Sequence, residues 1–260
     1  MNKKIKKALT MGIIIGAAAG ILITFAAAKS TLNKKTEASA QTEQELKDEN
    51  KKLKKQVEAK NTLTAAANLS KETPENWQLI LVNNDYQLDP AYVPKLTEIK
   101  DGQSVDSRIA EDTNAMLADA EKAGLNLYVV SAYRSYEDQR QVYDQSMQDR
   151  VAGGMGLLEA YEDTKLSVAV PGYSEHATGL ALDICAADYV ELDDSQADTD
   201  EAKWLAENCT KYGFILRYPK DKTDITGIVY EPWHFRYVGK EAAEEITEKG
   251  LTLEEYLGAK

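Results

Sequence analysis

The chain contains two histidines among 260 residues, and each lies in a short segment that also carries a carboxylate. His176 and Asp183 belong to the run SEHATGLALD, and His234 follows Glu231 in the run EPWH. Catalytic zinc is typically held by three protein ligands drawn from His, Asp, Glu and Cys, with the fourth position left to water. His176, Asp183 and His234 would supply such a set, and Glu231 would remain as a base.

A histidine considered alone is more often a core or surface residue than a metal ligand. In this chain both histidines lie beside carboxylates, in segments whose glycine and proline residues indicate strand edges and turns. Alternation along a strand at residues 180–185 places Leu182 on one face and Asp183 on the other. A buried aspartate is costly unless it is paired or coordinated. The pattern therefore favours a metal site.

The same segments match a known family pattern. SEHATGLALD followed by EPWHFRYVG resembles the VanY-type D-alanyl-D-alanine carboxypeptidases of the bacterial cell wall, whose pattern is SxHxxGxAxD with a later ExxH. Further matches follow in the family's order at residues 77–83, 131–135 with Gln139, 204–205 and 212–219. The resemblance covers about residues 75–257.

The resemblance implies a Zn2+ ion bound by His176, Asp183 and His234. Two neutral imidazoles and one carboxylate leave zinc with positive charge, which lowers the pKa of bound water toward about 7 and polarises a carbonyl. A general base must then take a proton from water and return it to the leaving amine. Glu231 is the predicted base. Glu175 is the alternative, but on a loop or strand it should point away from its neighbour.

The resemblance also implies residues that contact the substrate. Arg134 follows a predicted strand, and its planar guanidinium suits a carboxylate or the oxyanion of a tetrahedral intermediate. From the residues alone, a structural salt bridge with one of the many acidic residues is the alternative for Arg134. Gln139 and Ser174 are predicted to donate or accept hydrogen bonds with the stem peptide.

The predicted function is a membrane-anchored zinc carboxypeptidase that removes terminal D-alanine from peptidoglycan stem peptides. The motifs leave open whether the D,D bond of a pentapeptide or the L,D bond of a tetrapeptide is cleaved. Two alternatives remain: a peptidoglycan endopeptidase of the same fold, and a non-catalytic wall-binding protein.

The N-terminal segment predicts export. Residues 8–28 carry no charge, and this segment is long enough for a helix across a bilayer core of about 30 Å. Four lysines within residues 1–7 place the N-terminus in the cytoplasm and the rest of the chain outside. A cleaved signal peptide ending near residues 26–28 is the alternative, although its apolar region would be shorter. A single-pass protein of the cell membrane with an extracellular catalytic domain is favoured.

Residues 29–75 are rich in Lys, Glu, Gln, Ala and Thr and contain no aromatic residue. Such a segment cannot form its own core. Leu46, Asn50, Leu53 and Val57 follow heptad spacing, but two heptads do not establish a coiled coil. We expect a charged, partly helical stalk, through which a weak dimer would be able to form.

Charge separates the two ends of the chain. Residues 1–60 carry 13 Lys and Arg against 6 Asp and Glu, whereas residues 61–260 carry 18 against 37. So acidic a domain argues against nucleic acid as a partner and against electrostatic adhesion to anionic lipid or wall polymer. Local positive charge, such as that of Arg134, would have to bind an anionic group of the substrate.

Residues 76–260 read as one α+β domain with an antiparallel sheet flanked by helices, because strands and helices do not alternate regularly. This agrees with the Hedgehog/DD-peptidase-like zinc peptidase fold that the resemblance implies. The predicted strands are 79–82, 125–132, 180–185, 214–217 and one within 228–238; the predicted helices are 104–123, 136–150, 157–166, 200–212, one from 240 and a short one near 253.

Cys185 and Cys209 are the two cysteines, and both lie in the part of the chain predicted to be exported. An oxidising compartment permits a disulfide between them. Two buried free thiols are the equally weighted alternative.

Overall fold

The computed structural model describes residue 51 and residues 76–260. Three predictions lie outside the described residues: the basic N-terminus at 1–7, the membrane-spanning segment at 8–28, and the stalk at 29–75 with its dimer. Within 29–75 the structure describes Lys51 alone, which is helical. Among the described residues, no helix is both long and apolar enough to cross a bilayer.

The described part of the chain contains six strands and seven α-helices, joined by short 3-10 turns. In chain order they are β1 (Leu96–Glu98), β2 (Ser104–Asp106), α1 (Ala110–Lys122), β3 (Leu127–Ser131), α2 (Tyr136–Ala152), α3 (Leu157–Thr164), β4 (Ala181–Ala186), α4 (Asp200–Asn208), β5 (Phe214–Tyr218), α5 (Thr223–Thr226), β6 (Glu231–Tyr237), α6 (Lys240–Lys249) and α7 (Leu253–Tyr256).

The central sheet has four strands in the order β3-β4-β6-β5, and every neighbouring pair is antiparallel. The predicted α+β fold with an antiparallel sheet is therefore confirmed. In the pairing of β4 with β6, Asp183 lies directly opposite His234. The sheet thus brings together two residues that are distant in the sequence.

The main core fills the space between one face of the sheet and helices α1 and α4. Leu180, Leu182 and Ile184 belong to it, as the predicted alternation requires, and α1 contributes Met116 and Leu117. A second core lies between β5 and helix α6. Burial of one such Leu or Ile side chain stabilises the fold by about 1.5–3 kcal/mol.

The predicted strand at residues 79–82 is wrong, although Ile80, Leu81 and Val82 are fully buried. The Arg236 guanidinium donates hydrogen bonds to the carbonyl oxygens of Gln78 and Ile80, at 3.0 and 2.7 Å. A buried side chain thus satisfies backbone acceptors that a neighbouring strand would satisfy in a sheet.

The helix predicted to begin at residue 104 begins at Ala110 instead. Residues Ser104–Asp106 form β2, which pairs with β1 in a small two-stranded sheet. The Asp106 carboxylate accepts a hydrogen bond from the Arg108 amide at 2.9 Å. Such an Asx turn competes with helix formation and delays the start of α1.

The helix predicted at residues 200–212 is α4 followed by a separate 3-10 turn, Cys209–Tyr212. Gly213 ends this turn with a φ of 85°. Both cysteines, Cys185 and Cys209, are buried free thiols. Burial raises the pKa of each thiol to about 12, so neither is a reactive thiolate at neutral pH.

Candidate active site

His176 lies in a buried 3-10 turn, Glu175–Thr178, just before strand β4. Gly179 ends the turn with a φ of 71°, and a Cβ there would lie 2.9 Å from the Asp106 backbone nitrogen. Only glycine fits this position without a shift. The turn places His176 Nδ1 2.7 Å from the Ala132 carbonyl oxygen. Because a carbonyl can only accept, Nδ1 carries the proton and Nε2 keeps a lone pair for a ligand.

Asp183 and His234 complete a group of three possible metal ligands. Asp183 Oδ2 lies 3.2 Å from His176 Nε2, and Asp183 Oδ1 lies 3.1 Å from His234 Nδ1. One ligand atom of each residue lies within 4.8 Å of the others, and all three residues are buried. The structure therefore brings the three predicted ligands together.

These residues fit a zinc ion. Three electron-rich atoms converge, and among the described residues Asp183 Oδ1 has no hydrogen-bond partner. Although burial opposes ionisation, His176 and His234 hold the pKa of Asp183 well below its usual range, so the carboxylate is ionised. Two imidazole nitrogens and one carboxylate oxygen form a typical set of catalytic zinc ligands. A cation among them would remove the cost of burying these atoms.

Glu231 is the first residue of β6, and its Oε2 lies 3.7 Å from His234 Nδ1. Its side chain is buried beside the three ligands. Burial raises the pKa of Glu231 to about 8, with Asp183 adding to the rise and His234 opposing it. A carboxyl group with such a pKa exchanges its proton near neutral pH, as a general acid and base must. We call Glu231, His176, Asp183 and His234 the cleft cluster.

Arg134 follows strand β3, and its backbone amide donates to the His176 carbonyl oxygen at 3.1 Å. Its guanidinium donates to Ser131 Oγ at 2.8 Å and to Gln139 Oε1 at 2.9 Å. It also lies 3.7 Å from Asp183 Oδ2. Arg134 is thus held at the edge of the cleft cluster, and its side chain remains 19% exposed, which leaves surface for a substrate.

Gln139 and Ser174 are both buried beside this arginine and the ligand turn. Gln139 accepts from Arg134 and donates through Nε2 to the Ala169 carbonyl oxygen at 2.7 Å. Both ends of its amide are therefore engaged with the protein. In this arrangement Gln139 orients Arg134, and its predicted contact with the substrate stays a prediction, as does that of Ser174.

A cleft of about 730 Å³ contains these side chains. This volume is in the usual range for sites that bind small molecules. Leu192 and Val229 contribute apolar surface, and Asp193 and Asp194 contribute acidic side chains. All predicted site residues line it: Arg134, Gln139, Ser174, His176, Asp183, Glu231 and His234.

A buried ionic group behind His234 was not predicted from the sequence. It consists of Glu175, Arg217, Arg236 and Glu254, which we call the arginine cluster. Glu175 does not face Glu231: its Oε2 lies 3.4 Å from the other ring nitrogen, His234 Nε2. One sequence feature could have indicated this group: Arg217 and Arg236 lie inside apolar strand segments, where an unpaired charge would be costly.

Comparison with known proteins gives one family. The family model for VanY, described as D-alanyl-D-alanine carboxypeptidase, matches residues 102–240. A D-alanyl-D-alanine carboxypeptidase of Enterococcus faecalis is 40% identical over 198 residues, which are 76% of this chain and 71% of that protein.

Solved structures agree with this result. The vancomycin-resistance D,D-pentapeptidase VanY from a VanB-type cassette, a point variant in complex with Zn(II), is 40% identical with a TM-score of 0.64, over 70% of this chain and 99% of that one. VanYB in complex with D-alanine-D-alanine is 40% identical with a TM-score of 0.65, over 71% of this chain and 99% of that one. The LD-carboxypeptidase LdcB is 37% identical with a TM-score of 0.61, over 72% of this chain and 92% of that one.

Proposed function

The chain belongs to the VanY family of D-alanyl-D-alanine carboxypeptidases, and from this premise we propose that it is a zinc-dependent carboxypeptidase acting on peptidoglycan stem peptides. The observation that carries the proposal is the convergence of His176, Asp183 and His234 within 4.8 Å, in a cleft that also contains Glu231 and Arg134. The substrate would be a peptide that ends in D-alanine.

His176 Nε2, an Asp183 carboxylate oxygen and His234 Nδ1 would hold the zinc ion, since these atoms face one another across 3.1–3.2 Å. A zinc ion there would act as a Lewis acid that polarises the scissile carbonyl and makes water more acidic. The ring proton of His176 stays on Nδ1 in this arrangement, because Nδ1 donates to Ala132.

Glu231 would be the general base and then the general acid. Its carboxylate would accept a proton from the attacking water, and its carboxyl group would return that proton to the leaving amine of D-alanine. Its position supports this role, because its carboxyl group is buried in the cleft with Oε2 3.7 Å from His234 Nδ1. Glu175 is a poorer base because it lies on the far side of the His234 ring and both arginines hold its pKa low.

Arg134 would bind the C-terminal carboxylate of the substrate or the oxyanion that develops at the scissile carbonyl. A guanidinium forms two parallel hydrogen bonds with a carboxylate, which orients the peptide. The acidic side chains that also line the cleft would repel a carboxylate placed elsewhere. Gln139 would hold Arg134, and Ser174 would donate to or accept from the peptide backbone.

Cleavage of the D,D bond of a pentapeptide is the leading form of the proposal, because the matching family model and the 40% identical enterococcal protein carry that activity in their names. The L,D bond of a tetrapeptide is the second candidate. It is favoured by the similarity to LdcB, whose TM-score of 0.61 is close to that of VanYB at 0.65.

We place the enzyme on the outer side of the cell membrane, with domain 76–260 carried on a stalk at residues 29–75. The support is the uncharged segment 8–28 that follows four lysines in residues 1–7. Stem peptides lie outside the membrane, so this location would bring the cleft to its substrate.

The test is release of D-alanine, measured by mass spectrometry, from muropeptides that end in a pentapeptide or a tetrapeptide. The proposal expects release from the pentapeptide that is lost with a chelator and restored by Zn(II). Release from the tetrapeptide alone would make the enzyme L,D-specific. Cleavage inside crosslinked muropeptides without release of D-alanine would indicate an endopeptidase, and binding without any cleavage would indicate a wall-binding protein.

A further inference from the structure

The two histidines of the cleft cluster differ in what contacts their outer ring nitrogens. His176 donates from Nδ1 to a backbone carbonyl, that of Ala132, at 2.7 Å. His234 has a carboxylate in the corresponding place, because Glu175 Oε2 lies 3.4 Å from its Nε2. The two rings therefore present opposite nitrogens to the ligand site, Nε2 of His176 and Nδ1 of His234.

The Glu175 carboxylate is fixed by two arginines. Arg217 Nε donates to Glu175 Oε1 at 2.8 Å, and Arg236 Nη1 donates to the same oxygen at 2.6 Å. All three side chains are fully buried. Among the described residues, neither Glu175 Oε2 nor His234 Nε2 has a hydrogen-bond partner, so at 3.4 Å each is the atom available to the other.

Each arginine is itself fixed by further partners. Arg236 donates to the backbone oxygens of Ile80 and Tyr237, at 2.7 and 3.0 Å. Arg217 binds Glu254 through two hydrogen bonds of 2.9 and 2.6 Å. Rotation of the Glu175 carboxylate would break both of its charge-assisted bonds to these two arginines. Its orientation toward His234 is therefore set by the surrounding fold.

We propose that Glu175 is a positioning residue of the metal centre, which holds the His234 ring with Nε2 toward the arginine cluster and Nδ1 toward Asp183. This inference rests on the proposed zinc site. A carboxylate that accepts from the outer N–H of a histidine ligand fixes its tautomer and strengthens its bond to the metal. Glu175 would thus strengthen zinc binding without contacting the ion.

Glu254 provides a matched control within the same cluster. Its carboxylate accepts from Arg217 and from Asn83 Nδ2 at 2.8 Å, and it is buried like Glu175. Within the described part of the chain, its side-chain hydrogen bonds are with Arg217 and Asn83 and not with His234. Both substitutions remove a carboxylate charge that faces Arg217, and Glu175→Gln also removes it from Arg236. Glu254→Gln leaves the contact between Glu175 and the histidine intact.

The first experiment compares the zinc dissociation constants of the full-length chain, Glu175→Gln and Glu254→Gln, by competition with a chromophoric chelator. We expect Glu175→Gln to weaken zinc binding by about 10- to 100-fold. Glu254→Gln should bind zinc like the parent chain, even if both substitutions lower the melting temperature of the metal-free protein. Equal zinc affinity in Glu175→Gln and parent, or equal losses in the two variants, would overturn the inference.

A second measurement needs no variant and decides the question if Glu175→Gln does not fold. The chain has two histidines, so long-range 1H–15N spectra of the zinc-loaded, untagged protein contain two imidazole patterns. The inference expects one ring protonated at Nδ1 and the other at Nε2. Two rings that both carry the proton on Nδ1 would contradict it, because His234 would then not donate to Glu175.

The two proposals fail in different ways. If the parent chain does not bind Zn(II), the proposed zinc site is wrong and the role of Glu175 falls with it. If the parent chain binds Zn(II) and releases D-alanine while Glu175→Gln does so with unchanged affinity, the proposed function stands and the positioning role alone is wrong.

Discussion

Two groups of buried polar residues lie on opposite sides of the His234 ring, and they differ in how far their atoms are satisfied. In the arginine cluster, two arginines face two glutamates through hydrogen bonds of 2.6–2.9 Å. In the cleft cluster, electron-rich atoms of Asp183, His176 and His234 face one another at 3.1–3.2 Å. Apart from Glu175 Oε2, which faces His234, the first arrangement is satisfied within the described part of the protein, whereas the second requires protons or a cation.

This difference separates stability from function. A buried ion pair that loses one member leaves an uncompensated charge, so the arginine cluster should be sensitive to substitution in the folded state. The cleft cluster keeps an unpaired carboxylate oxygen and a carboxyl group with a raised pKa, both of which are costly in the metal-free protein. Apart from those at Glu175, substitutions in the arginine cluster should therefore mainly lower stability, and substitutions in the cleft cluster should mainly lower activity.

The largest expected effect is on activity, from Glu231→Gln. Loss of the group that transfers protons should lower kcat by about 10²- to 10⁴-fold. Zinc content, measured by atomic absorption, should stay at the parent value, because Glu231 is not one of the three ligands. A variant that keeps full activity would remove Glu231 from the proposed mechanism.

The next effect is on stability, from Arg236→Met in the arginine cluster. Glu175 would lose one of its two arginines, and the free energy of unfolding in urea should fall by about 3–5 kcal/mol. Arg140→Met is the matched control, since Arg140 pairs with Glu137 at 2.6 Å on the exposed surface of α2. That substitution should cost less than about 1 kcal/mol. Similar losses in both variants would refute the contrast between the clusters.

Arg134→Lys tests the edge of the cleft. A lysine keeps the charge but lacks the planar pair of donors, so kcat/KM should fall by about 10²-fold. The melting temperature should change little, because the Arg134 side chain is partly exposed. If stability falls as far as activity, the arginine is a structural salt-bridge partner of Asp183 and not a substrate-binding residue.

The smallest expected effect is a change in pH dependence of the metal-free chain. Burial raises the pKa of Glu231 from 4.5 to about 8, so between these values the folded chain binds more protons than the unfolded chain. The free energy of unfolding should therefore fall as pH rises through this window. Glu231→Gln should reduce the slope by on the order of 1 kcal/mol per pH unit. An unchanged slope in urea titrations would show that Glu231 ionises freely.

The comparison also explains what the sequence could predict. Residue type and spacing indicated the three possible ligands, because histidine is rare here and each copy is accompanied by a carboxylate within seven positions. The choice of Glu231 as the base came mostly from the resemblance to the VanY family. The alternation that placed Leu182 in the core and Asp183 away from it was a local property of β4. These features depend on a few adjacent residues, so they are visible in one chain.

The arginine cluster depends instead on contacts between distant segments. Glu175 meets Arg217 and Arg236 across 42 and 61 positions, and Arg217 meets Glu254 across a further 37. No local period records such pairings. The strand predicted at 79–82 is wrong for the same reason, since Arg236, which donates to the Ile80 carbonyl oxygen, lies 156 positions away.

The measurement that tests the central claim most directly is a zinc titration of the chelator-treated chain, with D-alanine release from a pentapeptide muropeptide followed at each addition. The account predicts no release of D-alanine without metal. The rate of release should then rise linearly with added Zn(II) and stop rising at one equivalent, because the cleft cluster is a single site of three ligands. Release that persists after chelation, or zinc binding at one equivalent without any release, would contradict it.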